Sequence, residues 1–136
     1  MGPLMEQFPG GFIHVLLGVW LWSSFTEEVF VRGLIQSWMD AHTERGIQIR
    51  RLFVSTPVLV SGLLFGAFHL TILFAGCDLP TTLRVFVMTA AGGILCAWLR
   101  ERTQSILPAI VCHVFLNIGS MVGGIIGMLL RSATSA

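Results

Sequence analysis

Ionisable side chains interrupt stretches of this chain that are otherwise apolar enough to cross a bilayer, and few folds tolerate that combination. Gln7 to Thr26 and Leu52 to Cys77 contain no Asp, Glu, Lys or Arg, and a bilayer core needs about 20 such residues per helix. Set among these stretches are Glu27-Glu28-x-x-x-Arg32, Phe65-x-x-x-His69 and His113-x-x-x-Asn117. A charged side chain at a helix centre costs roughly 2.5–3.5 kcal/mol on insertion scales, so chains that keep several use them. Residues four apart share one helix face, which points to an inward-facing polar site assembled from several helices.

Composition supports a membrane protein. The 136 residues are 54% hydrophobic and 11% charged, against about 25% charged in soluble domains. Mean hydropathy is +0.83. A net charge of +1 gives no electrostatic basis for nucleic-acid binding. Cys77, Cys96 and Cys112 are odd in number and lack C-x-x-C spacing, so no disulfide framework is expected. Met1 to Gly11 has no basic segment of the signal-peptide kind, which predicts a retained first helix.

The apolar pattern predicts an all-α, polytopic fold of about four transmembrane helices in one bundle, a single domain over 1–136. The first helix runs from near Phe12 to Gln36, followed by a polar loop or interfacial segment over Asp40 to Arg51. A second spans Leu52 to Cys77, with Pro57 in its first turn, and ends at the turn signal Gly76 to Pro80. The third spans Thr82 to Leu99 and closes on a charged turn over Arg100 to Thr103. Ser105 suits the cap of the fourth, which continues towards Leu130. Arg45, Arg50, Arg51, Arg100 and Arg102 fall on one side, against Arg84 and Arg131 on the other. The positive-inside rule therefore puts the first group in the cytoplasm and both termini outside, with Trp38 and Trp98 at the cytoplasmic interface.

Each polar motif also admits a plainer reading. Glu27, Glu28 and Arg32 suit interfacial charges, His69 a packed histidine against Phe65, and His113 with Asn117 an interhelical hydrogen bond. Their joint occurrence favours a site. Glu28 and Arg32 at i,i+4 neutralise each other, which turns Glu27 about 100° away and frees it to face a cavity as a general base. His14 and His42 receive no role. G-x-S-x-G and H-E-x-x-H are absent, which removes the common serine-hydrolase and zinc-protease signatures.

In this order the motifs EEVFVR from Glu27, FGAFH from Phe65 and HVFLN from His113 resemble the CAAX-protease and bacteriocin-processing (CPBP or ABI) family of intramembrane endopeptidases. The approach SILPAIVCHVFLN is also similar to that family's run before its last histidine. The resemblance implies peptide-bond hydrolysis beside or within the membrane of a membrane-embedded or lipid-anchored peptide. It implies that Glu27 activates water with help from His69, that His113 and Asn117 stabilise the oxyanion, and that Glu28, Arg32 and Phe65 orient the site. No cofactor is expected; a zinc or other divalent ion, if used, would take Glu27, His69 and His113. The resemblance implies an integral, multi-pass protein of a prokaryotic plasma membrane. A non-proteolytic member acting in bacteriocin immunity or membrane-complex assembly is the alternative.

Overall fold

The computed structural model describes residues 15–134 and consists of four helical rods with one β-hairpin. The first rod, α1, covers residues 15–40. Two wide-turned π segments, Val15–Ser23 and Val29–Gln36, alternate in it with the α-helical segments Ser24–Glu28 and Ser37–Asp40. The expected start near Phe12, and His14, lie outside the described residues. Strands β1 (Gly46–Ile49) and β2 (Leu52–Ser55) pair antiparallel, with Ile47 opposite Val54 and Gln48 opposite Phe53. Helix α2 runs over Thr56–Phe68 and tightens into a 3-10 segment, His69–Leu73. Helices α3 (Leu79–Thr103) and α4 (Leu107–Thr134) complete the chain.

Several expected boundaries move. The segment read as a polar loop, and the first residues assigned to the second helix, form the hairpin instead. Ser55 then caps α2, its hydroxyl accepting from the Val58 amide at 3.3 Å, with Pro57 in the first turn as expected. Arg100 to Thr103 are helical, because the reversal falls at Gln104, which takes a left-handed conformation with φ 54°. The Ser105 hydroxyl accepts from the Leu107 amide at 3.3 Å and opens α4. Where about four spans were expected, three rods among the described residues are long and apolar enough to cross a membrane: Thr56–Leu73, Leu79–Thr103 and Leu107–Thr134. The first rod is not among them, since Glu27, Glu28, Arg32 and Asp40 fall along its described length.

Burial is inverted relative to a water-soluble protein. The largest fully buried side chains are Arg32, Gln36 and Glu28, while Phe74, Met88 and Met128 point outward. That distribution suits a bilayer, where polar groups must find partners inside the bundle and apolar ones face lipid. Ser24, Glu28, Arg32 and Gln36 are all 0% exposed and form an i,i+4 row down α1. In an ideal α-helix such a row drifts by about 40° per step. The π turns rotate less per residue, and alternating them with α turns keeps the row facing the other helices.

Close contact between α2 and α3 makes room for this polar interior. Gly62 and Gly66, one turn apart, meet Ala90, Gly93 and Ile94 of α3, the small-residue packing that membrane helices use. A Cβ at Gly62 would lie 2.5 Å from Ile94 Cγ1 and 2.7 Å from its backbone nitrogen. Gly62→Ala should therefore destabilise by about 1–3 kcal/mol through overpacking, seen as a lower melting temperature in detergent. Gly119→Ala is the control, with nothing within 4 Å of the added carbon, and should be neutral or stabilising.

Candidate active site

Arg32 fixes the interior of the site. Its Nη1 donates to Glu28 Oε1 at 3.0 Å and its Nη2 to the Gly93 carbonyl at 2.7 Å. The guanidinium carbon stands 4.7 Å above the centre of the Phe65 ring, a cation–π contact that adds to its stabilisation. One turn further along the row, Gln36 donates to the Ala97 carbonyl at 3.0 Å. Both contacts end on backbone oxygens of α3, so α1 and α3 are joined by buried polar side chains as well as by packing.

His113, from α4, faces both glutamates. Its Nδ1 lies 2.9 Å from Glu28 Oε1 and its Nε2 lies 3.8 Å from Glu27 Oε2. The carboxylate of Glu28 accepts from Nδ1–H, which fixes the ring and leaves Nε2 directed at Glu27. Asn117, one turn on, donates to the Ser24 hydroxyl at 3.0 Å. The polar pair of α4 thus meets the polar row of α1 position by position, Asn117 on Ser24 and His113 on Glu28.

Glu27 is placed differently from Glu28. Its side chain is 38% exposed where that of Glu28 is fully buried. The Ser23 hydroxyl donates to Glu27 Oε1, leaving Oε2 towards His113. A cavity of about 410 Å³ opens beside it, lined by Glu27, Phe30, Phe65, Phe68, His69 and Ile72 among others. His69 sits at the junction where α2 tightens, with Nδ1 2.9 Å from the Phe65 carbonyl. That contact holds Nδ1–H and leaves Nε2 as the free nitrogen. Phe65 is the hub between the histidines, 5.0 Å from the His69 ring and edge-on to His113 at 5.2 Å.

The three motifs therefore meet around one aromatic ring and one arginine. Glu27, Phe65 and His69 border the cavity, and His113 stands behind Glu27. Asn117 is engaged with Ser24. Ser23, Ser24 and Gln36 were not singled out from the sequence. The signal for Ser24 and Gln36 is there in hindsight, since both extend the Glu28–Arg32 pair at the same four-residue step.

Among the described residues no group of three or more His, Cys, Asp or Glu side chains is gathered closely enough to share an ion. His113 Nδ1 and His69 Nδ1 are engaged with Glu28 and the Phe65 carbonyl, which leaves the Nε2 atoms of both rings to act on a ligand. Glu27 and His69 line the cavity, and His113 stands behind Glu27 with its Nε2 3.8 Å from Glu27 Oε2.

The comparisons agree with the motifs. Residues 9–119 match the family described as type II CAAX prenyl endopeptidase Rce1-like. No curated protein and no solved structure matches the chain.

Proposed function

Since the chain belongs to the Rce1-like family of type II CAAX prenyl endopeptidases, we propose that it hydrolyses a peptide bond near the C-terminus of a prenylated, membrane-associated substrate, with Glu27 as general base. The observation that carries this reading is the division of labour between adjacent carboxylates. Glu28 is consumed by Arg32 and His113, while Glu27 keeps an oxygen towards the cavity and towards His113 Nε2.

A separation of 3.8 Å lets Glu27 Oε2 and His113 Nε2 contact one water placed at the apex between them, each at hydrogen-bond range. Glu27 takes a proton from that water as its oxygen adds to the scissile carbonyl carbon, and His69 Nε2 helps to orient it. The developing oxyanion is met by the imidazolium form of His113, which donates from Nε2 while Glu28 holds Nδ1–H, and by the N–H of Asn117 not used on Ser24, donors of a kind worth several kcal/mol. Collapse of the intermediate breaks the C–N bond as Glu27 returns its proton to the leaving nitrogen. Glu28 acts through His113, setting which ring nitrogen faces the reaction. Phe30, Phe68 and Ile72 give the cavity apolar walls, suited to a substrate that carries a lipid chain.

The test is cleavage of a prenylated C-terminal CAAX peptide by the full chain reconstituted in lipid vesicles. A strong chelator is expected to leave the rate unchanged, because no step passes through an ion. Loss of activity in chelator with recovery on adding zinc would replace this mechanism by a metal-dependent one.

A further inference from the structure

One face of α3, away from the site, forms an apolar groove that ends in an arginine. Ala91, Ile94, Leu95 and Trp98 line it, and Val54 of the hairpin is its other wall; the groove holds about 340 Å³. Arg102, the next position along the same face, is exposed and lies 5.5 Å over the Trp98 ring. Neighbouring charges are already engaged. Glu101 accepts from the Ser55 hydroxyl at 2.6 Å, and Arg100 pairs with Asp40 and donates to Ser37. Arg102 forms no ion pair among the described residues.

The groove has the dimensions of one leaflet. From Ala91 to Arg102 the helix rises about 16 Å, and half of a typical hydrocarbon core is about 15 Å. Arg102 thus marks the level of the headgroups, and the groove descends from it towards the midplane. Arg50 and Arg51 form the tip of the hairpin that supplies Val54.

We propose that this groove is a binding site for a phospholipid with an anionic headgroup, one acyl chain lying along Ala91, Leu95 and Trp98 and the phosphate meeting Arg102. Charge complementarity selects the occupant: an arginine without an acidic partner at the membrane surface attracts anionic over zwitterionic headgroups, by about fivefold per residue. The site stands apart from the peptidase cavity, and its existence does not depend on the proposed chemistry.

The full chain is purified in detergent with equal phosphatidylcholine and phosphatidylglycerol, and the lipids retained after gel filtration are counted by mass spectrometry. The wild type is expected to retain phosphatidylglycerol about fivefold over phosphatidylcholine. Arg102→Gln should bring the two lipids to parity while lipid is still held, and Ala91→Phe, which fills the groove from an exposed position, should reduce retention of both. Equal retention of the two lipids by the wild type, a preference that survives Arg102→Gln, or undiminished retention by Ala91→Phe would each overturn the site. Loss of the preference in Arg50→Gln/Arg51→Gln but not in Arg102→Gln would overturn it too, by moving the headgroup to the hairpin tip.

Discussion

Glu27→Gln is expected to leave the fold intact and to lower turnover by about 10²–10⁴-fold, the contribution of a positioned general base. The amide is nearly isosteric and still accepts from Ser23, so α1 keeps its local structure. It cannot accept a proton from water. The residual rate would come from His113, Asn117 and substrate positioning. Glu28→Gln separates the two carboxylates. Its damage should run through Arg32 and His113 and should include lost stability, because both of those groups lean on Glu28 Oε1. Circular dichroism and melting in detergent, measured beside peptide cleavage, distinguish the outcomes. Glu27→Gln should be folded and inactive, Glu28→Gln less stable.

Arg32→Leu should produce the largest loss of stability, about 3–5 kcal/mol, as expected for removing one partner of a buried ion pair. The guanidinium reaches Glu28, the Gly93 carbonyl and the Phe65 ring, so its loss strips three contacts at once. It also leaves the Glu28 carboxylate at 0% exposure without its cation. The double replacement Glu28→Gln with Arg32→Met should recover part of the loss, since it removes the buried charge instead of orphaning it. A single replacement that melts like the wild type would mean that the pair sits in contact with water.

The motif-bearing helices and the Glu28–Arg32 pair were legible because both follow from one-dimensional rules. Long apolar runs mark membrane helices, and opposite charges four apart share a face. The same rule, carried one step either way, reaches Ser24 and Gln36. Their partners were not legible. Arg32 ends on the Gly93 carbonyl and Gln36 on the Ala97 carbonyl, acceptors that every residue possesses and that only the packing of α1 on α3 selects. Gly62 and Gly66 carry a recognisable small-residue spacing, yet the close approach it permits depends on Ala90 and Gly93 arriving opposite.

The hairpin was hidden for a local reason. Two-residue turns usually announce themselves with Gly or Asn, which tolerate positive φ. Here Arg50 takes φ 55° at the tip, and its charge and that of Arg51 resemble an ordinary polar loop. Strands of four residues each offer too short an alternation to outweigh that impression. The wide turns of α1 are equally silent in the sequence, because they serve the alignment of a polar row with partners on other helices.

Hydrolysis of a peptide bond in a lipid-modified substrate by the Glu27 carboxylate beside His113 and His69 is followed with a prenylated CAAX peptide in vesicles. Wild type and Glu27→Gln are compared by mass spectrometry of the products in ¹⁸O-labelled water. The wild type should cleave with one solvent oxygen in the new carboxyl group, and Glu27→Gln should leave the peptide almost wholly intact. Cleavage at the same rate by both proteins would contradict this role for Glu27.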